Sequence, residues 1–187
     1  MKKTNAEEPV WFEDWFNSPY YHILYKNRDE TEAKLFIDNI SLSLNIKNNA
    51  KVFDLGCGRG RHAIYLSQKG NDVIGIDISP ENIRYARELK NNTEFNKVEG
   101  KASFYVHDMR IPFKTNYFDY VVNLFTSFGY FEKDEENYLT ISAAAKALKP
   151  NGYLVIDFMN AKKVMDNLVE DETKNISSPS PAPSANL

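Results

Sequence analysis

One stretch of ten residues, Lys51-Val-Phe-Asp-Leu-Gly-Cys-Gly-Arg-Gly60, constrains the fold more than any other part of the 187-residue chain. Val52, Phe53 and Leu55 form the short apolar run of a buried parallel strand. Gly56, Gly58 and Gly60 follow at alternate positions, and residues 61–68 then read as a helix closed by Gly70. Strand, glycine turn and helix open a nucleotide-binding α/β fold. The glycines let a ligand approach the backbone at the carboxyl end of the strand, and the helix start offers unpaired N–H groups. A dinucleotide site wants the pattern G-x-G-x-x-G, but here the third glycine comes one residue early and Arg61 stands in its place. Asp54, two residues before the first glycine, would repel a pyrophosphate and attract an ammonium or sulfonium.

The rest of the chain supplies the sheet around this turn. Residues 30–44 read as an amphipathic helix with Ala33, Phe36, Ile37, Ile40 and Leu44 on one face. Residues 72–77 form a second buried strand, and Ser79-Pro80-Glu81 starts a helix with a cap, a proline at its first position and an acid in its first turn. Residues 91–100 are a polar linker, 102–106 a third strand and 118–125 a fourth. A helix begins near Asp134, with Tyr138, Ile141, Ala145 and Leu148 expected on its inner face. Pro150-Asn151-Gly152 then turns into a fifth strand, residues 153–158, and residues 161–171 could form one more helix. Strands alternating with helices predict an α/β, doubly wound, mostly parallel Rossmann-like sheet over residues 51–175.

Ligands of such sheets bind beyond the carboxyl ends of the strands, and three successive strands here end at an acid: Asp54, Asp77 and Asp108. Asp77 is placed to accept from ribose hydroxyls. Asp108 is placed to accept from an exocyclic amine while the backbone at Met109 donates to a ring nitrogen. Asn123 and Leu124, at the end of the fourth strand, would lie beneath the remainder of the ligand.

From about Lys51 to Met159 the chain resembles the class I S-adenosyl-L-methionine-dependent methyltransferases of the methyltransferase-domain type. The resemblance rests on Asp-Leu-Gly-Cys-Gly-Arg-Gly at the first strand and Leu-Lys-Pro-Asn-Gly before the fifth. It implies S-adenosylmethionine as cofactor, with Asp54 and the turn of Gly56, Cys57, Gly58 and Gly60 at the methionine moiety. Asp77 and Ile78 would hold the ribose, Asp108 and Met109 the adenine, and Asn123, Leu124 and Phe125 would line the floor. Arg61-His62 matches a Gly-Arg-His variant of the family, with His62 expected on the helix surface. Tyr20, Tyr21, His22, Phe128 and Tyr130 are candidates for the acceptor pocket, and no residue is assigned a catalytic role. Methyl transfer is an in-line displacement that depends chiefly on alignment and exclusion of water, so a dedicated acid or base is not required.

Composition narrows the acceptor. The formal charge is −3 with dispersed Lys and Arg, which argues against nucleic acid and anionic membrane. The position after the fourth strand reads Asn123-Leu-Phe-Thr-Ser-Phe-Gly-Tyr130, without the Pro-Pro of methyltransferases that act on adenine bases. A small-molecule acceptor is therefore expected, and no metal. The single Cys57 fits a reducing compartment, and with neither a signal peptide nor a run of membrane length a cytoplasmic protein is expected. Residues 8–25 are dense in aromatics, including Trp11, Trp15, Tyr20, Tyr21 and Tyr25, and belong to an N-terminal cap over residues 1–50 that either packs on the sheet or closes over the cofactor mouth. Residues 176–187 form a Ser/Pro-rich disordered tail. Strands six and seven of the family are missing, so the fifth strand is expected to be an exposed edge open to self-association. Two other readings are a non-catalytic cofactor-binding or interaction module and an NAD-dependent oxidoreductase.

Overall fold

A computed structural model describes residues 18, 20, 30–91 and 100–169. Most of the aromatic segment 8–25, with Tyr21 and His22, lies outside the described residues, as do most of the linker and the Ser/Pro tail. The elements are α1 (Glu30–Ser43), β1 (Lys51–Leu55), α2 (Arg61–Gln68), β2 (Asp72–Asp77), α3 (Pro80–Lys90), β3 (Lys101–Val106), β4 (Phe118–Asn123), α4 (Asp134–Ala147), β5 (Leu148–Ile156) and α5 (Ala161–Asp166). The five strands form one parallel sheet in the order β3-β2-β1-β4-β5. The chain walks outward from β1 through β2 to β3, then crosses back to place β4 on the other side of β1. The reversal lies between β1 and β4, and an open α/β sheet binds its ligand at such a point.

Alternation along the strands sends side chains to two faces. On one face Val52, Val73, Phe104 and Val122 pack against Ile37 of α1, Ala63 and Leu66 of α2, and Ile83 and Ala86 of α3. On the other, Phe53, Leu55, Ile76 and Val121 pack against Ala144 and Ala147 of α4, joined by Phe118, which the strand irregularity between Phe118 and Tyr120 brings to this face. Local chemistry sets the element ends as expected: Ser79 Oγ accepts from Asn82 N at 3.2 Å to cap α3, and Gly70 adopts φ +87° just beyond α2.

Two expectations need correction. The inner face of α4 is Thr140, Ala143, Ala144 and Ala147, while Tyr138 is 71 % exposed and Ala145 also faces solvent. Small residues let the helix lie close to the sheet, which displaces the larger ones outward. Leu148 leaves the helix altogether and starts β5, so this strand spans residues 148–156 instead of 153–158, with an irregular register between Phe118 and Tyr120. The connection over residues 107–117 carries no helix.

Every residue of β5 and α5 is at least partly exposed, and among the described residues nothing pairs with the outer edge of β5. No helix of the described residues is long and apolar enough to cross a membrane.

Candidate functional site

The glycine turn sits at the carboxyl end of β1, beside the point where the sheet reverses. Cys57 N donates to Ile76 O at 2.9 Å, anchoring the turn to the end of β2, and Gly60 N donates to Cys57 O at 3.0 Å. Gly60, at φ +81°, lies against Phe104, whose ring would stand 2.8 Å from an added Cβ. Gly58, at φ +54°, has open space where a Cβ would point, with nothing within 4 Å. Two glycines of one turn thus do different work: Gly60 lets the helix close on the core, and Gly58 leaves a cradle empty of protein atoms.

The three strand-end acids stand in distinct states. Asp54 is 1 % exposed and its Oδ2 has no hydrogen-bond partner. Burial, with the nearby charge of Asp77 adding to it, pushes its pKa up to about 7. Asp77 is fastened to the turn: its Oδ2 accepts from Gly58 N at 2.9 Å, while Oδ1 accepts from Ser79 N at 2.9 Å and Asn82 Nδ2 at 3.4 Å. Burial raises its pKa against the pull of those donors. Asp108 lies on the loop after β3, where Arg110 grips it. Backbone N of Arg110 donates to Oδ1 at 2.8 Å, Nε lies 3.1 and 2.9 Å from the two oxygens, and Nη2 donates to Oδ2 at 2.5 Å. Burial works to raise the Asp108 pKa, but these hydrogen bonds and the guanidinium charge outweigh it and hold the carboxyl below its ordinary range. Met109 reaches the turn itself, its Cε lying 3.4 Å from where a Cβ on Gly56 would be. Ile78 is half-buried directly beyond β2.

The end of β4 lies beside the end of β1. Asn123 is buried, its Nδ2 donating to Leu55 O at 2.9 Å while its Oδ1 has no partner, and Leu124 is buried beside it. Phe125 and Thr126 both adopt left-handed backbone, φ +57° and +59°, uncommon for residues other than glycine and frequent at functional sites. Ser127, a residue the sequence reading did not single out, donates through Oγ to Gly56 O at 3.3 Å and Leu124 O at 3.1 Å, tying this loop to the glycine turn. Phe128 and Tyr130 are half-buried on the same loop, whereas Tyr20 is exposed. His62 is not a surface residue: it is buried and stacked on Phe125 at 4.6 Å. Burial, with the Arg61 charge adding to it, drops its pKa to about 3, so the ring is neutral. Among the described residues no group of three or more His, Cys, Asp or Glu could hold a metal ion.

Residues 46–183 match the family described as methyltransferase domain. The chain belongs to that family. It is 29 % identical over 129 residues to the demethylmenaquinone methyltransferase of Staphylococcus saprophyticus, covering 66 % of this chain and 51 % of that one. Among solved structures it is similar to the PH0226 protein of Pyrococcus horikoshii (28 % identity, TM-score 0.64, 81 % and 66 % of the two chains). It is also similar to SAM-bound CalS10, an amino pentose methyltransferase of Micromonospora echinaspora (25 % identity, TM-score 0.57, 74 % and 56 %). The chain spans between 30 % and 55 % of the first curated relatives it matches.

The cofactor of the family is S-adenosylmethionine, and the residues of this chain fit it. A buried carboxylate with a free oxygen beside an unfilled glycine cradle suits a cationic ligand, and would oppose a pyrophosphate in the same place.

Proposed function

We propose that the protein is an S-adenosylmethionine-dependent methyltransferase acting on a small-molecule acceptor in the cytoplasm. The observation that carries this reading is Asp54, a buried acid with one unpartnered oxygen at the switch point of the sheet. When bound, S-adenosylmethionine supplies a methyl group made electrophilic by its sulfonium sulfur. In this reading Asp54 faces the charged methionine end, and Gly56, Cys57, Gly58 and Gly60 pass beneath it. Asp77 and Ile78 hold the ribose, Asp108 and Met109 the adenine, and Asn123 and Leu124 form the floor. Phe128 and Tyr130 line the acceptor side. The protein's contribution is to align the acceptor with the transferred group and to keep water out, and no side chain needs to move a proton when the acceptor is already nucleophilic. The acceptor class is supported by relatives named for small molecules, a demethylmenaquinone and an amino pentose methyltransferase, and by the dispersed charge of this chain.

Titration calorimetry tests the reading. S-adenosylhomocysteine is expected to bind with a Kd of about 1 μM or tighter, about −8 kcal/mol or more favourable, and NAD not at all. Asp77→Ala should weaken the complex by about 1–3 kcal/mol, the scale of leaving polar ligand groups unpaired. Binding of NAD in preference, or a variant as tight as the parent, would overturn the cofactor and ribose assignments respectively. Binding without release of S-adenosylhomocysteine across a broad panel of small acceptors would favour a non-catalytic binding module.

A further inference from the structure

Asp54 and Asp77 at the glycine turn aside, every partly or fully buried acid among the described residues is paired with a cation save one. Asp38 has Lys69, Asp119 has Lys149, and Asp108 and Glu136 share Arg110. The exception is Asp157, half-buried directly after β5. Its backbone N donates to Asn123 O at 2.9 Å, and its Oδ2 accepts from Phe125 N at 3.0 Å. Oδ1 makes no hydrogen bond among the described residues, although a carboxylate offers about four acceptor positions. A charge kept partly out of water without a counter-ion is costly, so its partner is to be sought outside the chain. The site is also a fixed one. Phe125 and Thr126 hold the left-handed backbone, Ser127 ties the same loop to Gly56 O, and a Cβ on Gly129 would stand 3.4 Å from the Phe158 ring. Asp157 therefore stands against the loop that carries Phe128 and Tyr130, two strands from β1 and about 10 Å across the sheet.

We propose that Asp157 is a catalytic residue that selects an amine as methyl acceptor. Oδ1 accepts a hydrogen bond from the acceptor nitrogen and stabilises the positive charge that this nitrogen acquires. The inference rests on the reading of the site as an S-adenosylmethionine site, with the acceptor beyond β4. A neutral amine that donates one N–H to a fixed carboxylate turns its lone pair away from it. That lone pair forms the new N–C bond while the C–S bond breaks and its electron pair stays on sulfur. Positive charge thus passes from sulfur to nitrogen, and the resulting ammonium loses its extra proton to water. A carboxylate already in place where the charge appears acts on the transition state without reorganising. A cation paired with Asp157 would cancel that effect, and none is there. An alcohol differs, because its oxygen must shed a proton to attack well and so needs a base more than a counter-charge.

The test follows S-adenosylhomocysteine release by the full chain. Small primary amines are compared with the alcohols of the same skeletons, from benzylamine and benzyl alcohol to glucosamine and glucose. Turnover is expected with amines and not with the alcohols. Asp157→Asn keeps an oxygen for Phe125 N and removes only the charge. Its kcat/KM for the amine should fall about ten- to a hundredfold, the scale of a hydrogen bond to a charged group, with S-adenosylhomocysteine affinity within about twofold of the parent. Asp157→Ala, which also releases the loop, should lose at least as much. A purely structural role would leave Asp157→Asn as active as the parent, and that result overturns the proposal. A parent that turns over no amine, or alcohols as readily as amines, overturns it as well. Calorimetry with S-adenosylhomocysteine keeps the two readings apart. A parent that does not bind it overturns the cofactor reading, whereas one that binds it and fails on amines overturns only the role of Asp157.

Discussion

β1 and β5 lie two places apart in one sheet, yet Val52 to Leu55 of β1 are all buried and no residue of β5 is. β1 is flanked by β2 and β4 and covered by helices on both faces. Among the described residues β5 has one strand neighbour, and it carries an exposed Tyr153 stacked on Tyr120 at 5.9 Å and an Ile156 partly open to solvent. The contrast teaches where identity is dictated. On the closed side each side chain is held by packing, so a buried acid such as Asp54 persists only because the surroundings over-determine it. On the open side every side chain of β5 keeps some contact with solvent.

Changing the closed side should cost most. Phe118 is fully buried and stacked on Phe53 at 4.5 Å, so Phe118→Ala should destabilise by about 3–5 kcal/mol in urea unfolding. Tyr153→Ala, on the open side, should cost less than about 1 kcal/mol. Equal losses would mean that β5 is covered as well as β1.

The glycine turn divides the same way at smaller scale. Gly60→Val drives a branched side chain into the Phe104 ring from a left-handed backbone, and should cost about 2–5 kcal/mol. Gly58→Val meets open space and pays only the backbone strain, about 1–2 kcal/mol, but fills the cradle. Circular dichroism should show a folded Gly58 variant that no longer binds S-adenosylhomocysteine. A Gly58 variant that binds normally would show that the cradle holds no ligand.

How far these distinctions were legible in the sequence depends on their range. The strands, the capped start of α3 and the strand-end acids follow from local pattern, because apolar runs and turn residues specify them within a few positions. The packing of α4 did not follow, since size ranking favours Tyr138 and Ile141 while a close helix selects Thr140 and three alanines. His62 was misplaced on the surface because its cover is Phe125, 63 residues on, held there by a left-handed backbone that no local signal marks. Arg110 looked like an ordinary loop cation, as its second partner is on another element. A positively charged residue two places after a strand-end acid was the one available hint.

The closed side also contains two groups whose pH effects oppose each other. Asp54 rises from 3.8 unfolded to about 7 folded, so the folded state holds a proton that the unfolded chain has lost, and stability falls as pH rises from about 4 to 7. His62 drops from 6.5 unfolded to about 3 folded, so the unfolded chain holds the extra proton, and stability rises with pH from about 3 to 6.5. Their contributions nearly cancel between about pH 4 and 6.5, each with a slope of up to about 1.4 kcal/mol per pH unit. Removing one should expose the other. Relative to the parent, Asp54→Asn should gain a rising slope of stability against pH, and His62→Phe, which retains the stacking ring, a falling one. Urea midpoints at pH 4.5 and 6.5 decide it, and parallel profiles for parent and both variants would show that neither group titrates as its burial demands.

The smallest effect on stability is expected at β5, where the effect on association should be largest. An edge strand presents unpaired N–H and C=O groups, and natural edges are commonly blunted by charge, especially lysine. The inward register of β5 is set by its pairing of Tyr153, Leu154, Val155 and Ile156 with Tyr120, Val121, Val122 and Asn123. Its other edge has no partner among the described residues, and the exposed Tyr153, Ile156, Phe158 and Met159 make the neighbourhood apolar. Such an edge should pair with a second copy of the chain as concentration rises. Ile156→Lys places a charge on that edge, where the side chain is already 38 % exposed, so its stability should stay within about 0.5 kcal/mol of the parent. Light scattering over a concentration series should show the parent associating and the lysine variant remaining monomeric. A parent that stays monomeric throughout would mean that the edge is closed by something other than a second copy, and a variant that associates as the parent does would move the contact away from β5.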